Sequence, residues 1–152
     1  MTRGKNDGFT LLEVTCVLAI VAMLAAILLP AIPRATSRPQ LESYAVEIAA
    51  LLKADRFAAI RRRIDIATSV DARSRTLRSG TTGQTVRVPQ DVDMTLVSAT
   101  SCQQQRAQAA IVFLASGMSC GGSVTLTRFG SGYEVRVNWL TGAVEIVPRH
   151  AT

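Results

Sequence analysis

One apolar stretch near the start of the 152-residue chain limits what it can fold into more than any other feature. Residues 14–32, VTCVLAIVAMLAAILLPAI, carry no formal charge. Because a helix rises about 1.5 Å per residue, this stretch would be roughly 28 Å long, close to the hydrocarbon thickness of a bilayer. A helix buried in a soluble core is seldom apolar on every face for so many turns. The stretch therefore predicts a membrane-spanning helix.

The residues before the apolar stretch argue against an ordinary secretory signal, whose cleavage site follows its apolar core. Here the basic octapeptide MTRGKNDG comes first, and FTLLEV follows directly after Gly8. Glu13 lies within the apolar region, where a carboxylate costs on the order of 3 kcal/mol on insertion scales. If the chain were cut between Gly8 and Phe9, the new amino group would lie one helical turn before Glu13, on the same face. The alternative is a carboxylate that reaches the lipid headgroups by itself.

These N-terminal residues resemble the class III signal of type IV pilins and type II secretion pseudopilins. The resemblance is carried by an uncharged span preceded by Lys5, Gly8, Phe9, Thr10, Leu11, Leu12 and Glu13. It implies cleavage by prepilin peptidase after Gly8 and N-methylation of Phe9. It also implies that Glu13 neutralises the amino terminus of a neighbouring subunit during assembly. Pro30 falls where pilin helices commonly carry a proline, which favours a kink or a melted turn.

The orientation of the chain in the membrane does not follow from its charges. Arg3 and Lys5 flank one end of the apolar stretch, and Arg34 and Arg38 flank the other. The positive-inside rule therefore does not decide between the two orientations. The resemblance implies a cytoplasmic leader and a periplasmic C-terminal part.

The three cysteines show no CxxC spacing, which argues against a structural zinc site. Cys16 lies in the apolar stretch, whereas Cys102 and Cys120 lie in the polar part of the chain. If that part is exported, Cys102 and Cys120 are the natural disulfide pair, and closing the loop would stabilise the fold by roughly 3 kcal/mol. The alternative is two unpaired thiols.

A second helix is predicted beyond the apolar stretch. The segment PRATSRPQ, which follows Ile32, contains two prolines that should loosen the helix. Apolar residues then recur at helical spacing up to about Arg63, on a face suited to packing against a sheet. These residues are Leu41, Tyr44, Ala45, Ile48, Leu51, Leu52 and Ala59. Phe57 points away from this face and either meets a neighbouring subunit or forms the edge of the core.

From Ile64 onward the pattern changes to short alternating runs typical of strands. IDIATSV and RSRTLRS predict a hairpin that turns at Asp71 and Ala72. Further candidate strands are TVRVP, VDMTLVS, AAIVFLA, SVTLTRF, YEVRVNWL and AVEIVP. The sequence thus predicts an α+β fold in which a long N-terminal helix packs on a mainly antiparallel sheet. The predicted divisions are a leader at 1–8, a transmembrane helix at 9–32, its periplasmic continuation at 33–63 and a β-rich domain at 64–152.

The C-terminal segment IVFLASGMSCGGSVTLTRFGSGYEVRVNWLTGAVEI resembles the signature of the GspH/FimT group of minor pseudopilins. The matching residues are Phe113, Gly117, Ser119, Gly121 and Gly122 in a loop, with Trp139, Leu140, Thr141 and Gly142 in the final hairpin. Ala115 departs from the pattern, because proline is frequent at that position. Gly142 permits a positive-φ turn between two strands, and Trp139 is expected to be a large apolar anchor. A binding role for Trp139 is the alternative.

The residues do not predict a catalytic site, a metal site or a cofactor. The only histidine, His150, is two residues from the C-terminus, and there is no phosphate-binding glycine loop. Asp91 and Asp93 could pair on calcium, but a solvated turn is the more ordinary interpretation of their spacing. Arg56 and residues 61–63 form the densest basic cluster, which predicts a solvated helix C-terminus. The alternative for this cluster is contact with anionic lipid or DNA.

The two ends of the chain together resemble minor pseudopilins of type II secretion systems. The resemblance implies a structural subunit of the pseudopilus tip, not an enzyme, with no small-molecule substrate. It implies a single pass through the bacterial inner membrane and a periplasmic C-terminal domain. The expected partners are the other tip pseudopilins, the major pseudopilin and prepilin peptidase. One alternative is a FimT-like minor pilin of a type IV pilus that binds DNA during uptake. Another is a plain bitopic membrane protein whose N-terminus mimics the signal.

Overall fold

The computed structural model describes residues 10–28, 35–102, 105–106 and 109–150, in two compact units divided after Ala35. In the first unit, helix α1 spans Leu11–Leu28. Within the described ranges, no helix is both long enough and apolar enough to cross a membrane. The predicted cleavage site at Gly8 and Phe9, and the predicted kink at Pro30, lie outside the described residues.

The second unit, residues 36–152, begins with helix α2 at Arg38–Arg62. The helix starts within the proline-containing segment, and Pro39 lies in its first turn, where a missing N–H breaks no helical bond. The Ser37 N–H donates to Gln40 Oε1 at 2.9 Å, which closes the helix start. The chain leaves the helix at Arg63, which adopts the left-handed conformation.

The predicted apolar face of α2 is confirmed, because its residues are buried and only Tyr44 is partly exposed. The buried side chains of the helix are Leu41, Ala45, Ile48, Ala49, Leu51, Leu52, Asp55, Ala58 and Ala59. Phe57 lies off this face and is 62% exposed. The helix is therefore amphipathic, with one stripe that covers the core.

Ten strands follow the helix in the part of the chain that the structure describes. They are β1 (Ile66–Asp71), β2 (Thr76–Arg78), β3 (Thr85–Arg87), β4 (Asp93–Ser98), β5 (Ser101–Cys102), β6 (Gln105–Arg106), β7 (Ala110–Phe113), β8 (Gly122–Arg128), β9 (Ser131–Val137) and β10 (Val144–His150). The predicted hairpin is confirmed, with β1 and β2 paired from Ser69↔Arg78 to Asp71↔Thr76, but its turn comprises residues 72–75 rather than Asp71 and Ala72. Each of the six further candidate segments contains one strand, whereas the short pair β5–β6 was not predicted.

The strands form two four-stranded antiparallel sheets, in the orders β3-β2-β1-β7 and β10-β9-β8-β4, and the small β5–β6 pair. Helix α2 packs against strands of both larger sheets. Phe113, Leu77 and Leu126 are fully buried among them and belong to one continuous core with the stripe of α2. The architecture is the predicted α+β, pilin-like fold, with two sheets rather than one beside the helix.

The prediction that Trp139 anchors the core is wrong. Strand β9 ends at Val137, and Trp139 lies in the following turn with 63% of its surface exposed. Leu140 beside it is 55% exposed. The alternating pattern of β9 places Tyr133, Val135 and Val137 on the core side, and the strand ends before it reaches the tryptophan.

Candidate functional site

The start of α1 carries Glu13, for which the resemblance to pilins and pseudopilins implies an assembly role. The Glu13 N–H donates to Thr10 Oγ1 at 3.3 Å, so Thr10 caps the helix and Glu13 occupies its third position. Glu13 is exposed, and a carboxylate in the first turn complements the helix dipole. This gives Glu13 a local role in helix stability that sequence reasoning had missed, although the Thr-x-x-Glu spacing signals it.

Helix α1 exposes large apolar side chains in every turn whose side chains are described. Leu11 is 83% exposed, Leu18 62% and Met23 71%. Cys16 on the same helix is exposed and unpaired. An apolar surface of this kind is unfavourable in water.

A clamp of three residues fixes the start of the 36–152 unit, and we call this region the proximal end. Asp91 accepts hydrogen bonds from the N–H and the hydroxyl of Thr36, both at 2.7 Å. Arg128 lies 2.9 Å from the Asp91 carboxylate and donates to the Thr36 carbonyl. The bonds from Thr36 lower the pKa of Asp91 below its ordinary value. Asp91 therefore joins the chain before α2 to the end of β8.

The two aspartates of the candidate calcium pair have different surroundings. Asp91 turns to Thr36 and Arg128, whereas Asp93 is exposed at the start of β4. Across the described ranges, no three acidic, histidine or cysteine side chains gather in a way that could hold a metal ion.

At the opposite end of α2, Arg56 joins the helix to two loops, and we call this region the distal end. Arg56 Nε donates to the Gly117 carbonyl at 3.0 Å, and its terminal nitrogen donates to the Thr141 carbonyl at 2.8 Å. Gly117 and Gly142 allow this close approach. A Cβ at Gly117 would lie 2.9 Å from Ile60, and one at Gly142 would lie 2.1 Å from the Gly117 carbonyl oxygen. Arg56 thus binds both the loop that contains Gly117 and the hairpin turn that contains Thr141 and Gly142.

This arrangement removes Arg56 from the predicted basic cluster, because its guanidinium is occupied by backbone carbonyls. Arg61, Arg62 and Arg63 are exposed at the end of α2, as a solvated helix terminus requires. The cluster is smaller than the sequence indicates.

The departure at Ala115 has a structural counterpart. The Ala115 N–H donates to Asp65 Oδ1 at 2.8 Å, which ties the loop after β7 to the residues before β1. Proline has no N–H and could not make this bond.

Cys102 and Cys120 form a disulfide bond, with their Cα atoms 5.7 Å apart. The bond connects β5 to the residue two before the start of β8. Cys120 is further held by its N–H, which donates to the Val112 carbonyl at 3.0 Å. The predicted pairing of these two cysteines is confirmed.

Two buried carboxylates were missed in the sequence. Asp55 is 1% exposed and accepts bonds from the hydroxyls of Thr68 and Ser79, both at 2.6 Å. The N–H groups of Gly80 and Thr81 add bonds of 3.0 and 3.3 Å. Burial alone would raise the pKa of Asp55, but the four donors lower it below its ordinary value. Asp55 therefore ties α2 to β1 and to the turn after β2.

The second missed carboxylate, Glu134, lies on the face of β9 opposite the core and is 5% exposed. Arg136 and Arg149 cover it, with nitrogen–oxygen distances of 3.0 and 2.8 Å. The bond from Arg136 lowers the pKa of Glu134 more than burial raises it. The three side chains form an ionic row across β9 and β10.

The chain is similar to known proteins at its N-terminus, along nearly its whole sequence and in its fold. Residues 3–29 match the model of the prokaryotic N-terminal methylation motif. The chain is 29% identical over 148 residues to a type II secretion system protein H from Xanthomonas campestris, covering 97% of this chain and 87% of that protein.

Two solved structures share the fold. The minor pseudopilin EpsH from the type 2 secretion system of Vibrio cholerae superposes with a TM-score of 0.55 at 12% identity, over 71% of this chain and 96% of that chain. The type IV minor pilin FimU of Pseudomonas aeruginosa superposes with a TM-score of 0.52 at 19% identity, over 74% and 92%. At these identities the likeness concerns the fold alone.

The helix and the two antiparallel sheets, behind residues that match the N-methylation motif, make up a pilin-like α+β fold. The similarity to type II secretion system protein H extends over nearly the whole chain and, with the methylation motif, supports a GspH-type pseudopilin.

Proposed function

We propose that the chain is a minor pseudopilin, a structural subunit in the tip region of the pseudopilus of a type II secretion system. The observation that carries the proposal is the N-methylation motif at residues 3–29 in a chain that is similar to protein H along 97% of its length. The pilin-like fold of the 36–152 unit agrees with it. In this role the protein acts by assembly rather than by catalysis.

The proposed mechanism begins at the N-terminus. Prepilin peptidase removes residues 1–8, Phe9 is N-methylated, and residues 9–32 hold the chain in the inner membrane with the 36–152 unit in the periplasm. During assembly the exposed apolar side chains of α1 exchange lipid for the helices of sibling pseudopilins. Glu13 then faces the amino terminus of a neighbouring subunit. The 36–152 unit offers its surfaces to the other tip subunits and to the major pseudopilin.

Processing and secretion test this proposal together. We expect the chain isolated from its own host to begin at a methylated Phe9, and deletion of its gene to stop the export of secreted proteins. Gly8→Val should leave the leader in place, because the peptidase cuts after this glycine, whereas Gly4→Val should be processed normally.

Three results would contradict the proposal. A chain that still begins at Met1 in cells with active prepilin peptidase would indicate a plain bitopic protein. A chain trimmed beyond residue 30 would have lost its anchor. Intact secretion with loss of DNA uptake would favour the FimT-like alternative, and DNA affinity should then fall steeply with salt.

Replacement of Glu13 by leucine should separate assembly from insertion. The variant should be processed and anchored, but its incorporation into the pseudopilus should fall on the order of a hundredfold, because a neighbour's amino terminus loses its counter-charge. This estimate corresponds to about 3 kcal/mol, the cost of an uncompensated charge on insertion scales. Incorporation is measured by cross-linking to sibling pseudopilins in cells.

Glu13→Asp is the matched control, since it keeps the carboxylate and should retain most of the incorporation. The cap at Thr10 suggests the competing explanation that Glu13 only stabilises the helix start. In that case Glu13→Gln would cost about 0.5 kcal/mol of helix stability and leave assembly unchanged. That result would remove the assembly role.

A further inference from the structure

The turn between β8 and β9 exposes an aromatic ring in an unfavourable backbone conformation. Phe129 has φ 48° and Gly130 has φ 75°, so both central residues of this two-residue turn are left-handed. Asparagine, aspartate and glycine suit the first position of such a turn, and a bulky aromatic residue does not. Phe129 is also 89% exposed. The fold therefore gains little from this side chain, and an exposed residue that costs stability points to a binding role.

The position of this turn is fixed relative to the start of the 36–152 unit. Arg128 precedes Phe129, and its guanidinium carbon lies 4.4 Å from the centre of the phenyl ring. The same guanidinium contacts Thr36 and Asp91 in the proximal clamp. Phe129 is thus held beside Thr36 by a side chain with 16% exposure.

The chain length between Thr36 and the apolar stretch limits how far this turn lies from the membrane. Thr36 follows Ile32 by four residues. Four residues span at most about 14 Å when fully extended. Ile32 and Thr36 are therefore joined by at most about 14 Å of chain. If the apolar stretch spans a bilayer, as the proposed function requires, the chain enters the clamp close to the headgroup region.

The residues around Phe129 suit a lipid–water boundary. Arg38 lines a shallow concavity on one side of the ring, and Arg149 lines one on the other side. A phenyl ring favours the apolar side of such a boundary. Asp91 and Asp93 lie close by, so the local net charge is small. Insertion of the ring, rather than attraction to anionic lipid, is expected to supply most of the affinity.

We propose that Phe129 inserts into the headgroup region of the bilayer that holds residues 9–32. The occupant of this surface is the phospholipid bilayer itself. The inference rests on the proposed membrane anchoring. The contact would hold the proximal end of the 36–152 unit on the membrane until the subunit enters the filament.

The chain supplies its own reference probe for a test. Trp139 is the single tryptophan, and it lies in the turn at the other end of β9 from Phe129. A seven-residue strand separates the two turns, which corresponds to about 23 Å. Trp139 is exposed and should therefore remain in water when Phe129 is in lipid.

The experiment uses the processed chain in phosphatidylcholine nanodiscs, with plain or brominated acyl chains. Brominated chains quench tryptophan fluorescence only at short range. In the double variant Phe129→Trp with Trp139→Phe, brominated lipid should reduce the emission at least about twofold, as expected for a ring 5–10 Å into the interface. The wild-type chain, with tryptophan only at position 139, should show no quenching. Phosphatidylglycerol should change the quenching little, because the local net charge is small.

Equal emission from the Phe129→Trp probe in plain and brominated nanodiscs would overturn the membrane contact. Co-elution of the chain with the nanodiscs is recorded in the same samples and reports on anchoring. A chain that does not co-elute contradicts the proposed function, whereas an anchored chain without quenching contradicts only the contact. If the tryptophan at position 129 is shielded from water only after other pseudopilins are added, the turn binds a protein and not lipid, which also contradicts the contact.

Phe129→Gly suits the turn and should therefore fold with a raised melting temperature. In nanodiscs this variant should lose the protection of residues 128–131 from hydrogen exchange.

Discussion

Asp55→Ala should lower the free energy of unfolding of the 36–152 unit by about 3–5 kcal/mol, as expected when a buried, hydrogen-bonded charge is removed. Alanine would leave the hydroxyls of Thr68 and Ser79 without their acceptor in an interior that excludes water. The N–H of Gly80 would lose its partner as well. Urea or thermal unfolding followed by circular dichroism measures the change.

Glu47→Ala is the matched control, because Glu47 is exposed on the same helix. Its replacement should change the unfolding free energy by no more than about 0.5 kcal/mol. Asp55→Asn should fall between the two, since an amide offers one acceptor oxygen and turns its NH₂ group toward the remaining donors. A loss below about 1 kcal/mol for Asp55→Ala would show that water replaces the carboxylate and that the network is not structural.

The pKa of Asp55 also sets a pH dependence. Its folded-state pKa lies below the ordinary value of 3.8, so the folded state favours the charged form. The resulting stabilisation is fully present above the unfolded-state pKa and is lost as the pH falls through the folded-state pKa. Acid unfolding below about pH 4 should therefore be shallower in Asp55→Asn than in the wild type. Asp91 and Glu134 act in the same direction and remain in both proteins.

The apolar pattern predicted the face of α2 but not the carboxylate within it. Leu51, Leu52, Ala58 and Ala59 mark the stripe, and Asp55 sits between them at helical spacing. A polar residue on such a stripe is a signal that could have been used. Its partners could not have been found, because Thr68 and Ser79 come from strands whose packing against the helix depends on the whole fold.

The error at Trp139 has a related cause. Size and hydrophobicity indicate that a side chain prefers burial, but they do not show where a strand ends. The two residues beyond Val137 belong to a turn whose geometry is set by Asn138. Its side chain accepts bonds from the N–H groups of Leu140 and Thr141, at 2.9 and 3.0 Å. The turn therefore directs the tryptophan to the surface.

The division into two sheets and the proximal clamp depend on long-range contacts. Strand β7 pairs with β1 although the two lie about 40 residues apart, and Asp91 binds Thr36 across a separation of 55 residues. Alternation within a strand specifies its faces but not its neighbours. The leader and the spanning segment stay predictions, and they rest on one stretch of sequence because a membrane constrains its length and polarity.

Gly142→Ala should destabilise the 36–152 unit by about 3 kcal/mol or more, because it adds a steric clash to an unfavourable backbone conformation. Gly142 has φ 64°, and an added Cβ would lie 2.1 Å from the Gly117 carbonyl oxygen and 2.7 Å from Arg56 Nε. Relief of that contact requires the turn to move away from α2. Arg56 would then lose its bond to Thr141. Thermal unfolding measures the loss of stability.

Gly83→Ala separates the two contributions, because Gly83 shares the conformation but not the crowding. Its φ is 73°, and the nearest atom to an added Cβ, at the end of Arg78, lies 3.5 Å away. Its replacement should cost about 1 kcal/mol, the ordinary cost of a left-handed alanine. The additional loss of unfolding free energy in Gly142→Ala then measures how tightly the distal end is packed. Arg56→Ala in the Gly142→Ala background should recover part of that additional loss. Equal losses for the two glycines would mean that the hairpin rests loosely on the loop, and that Arg56 does not hold the helix and the two signature segments together.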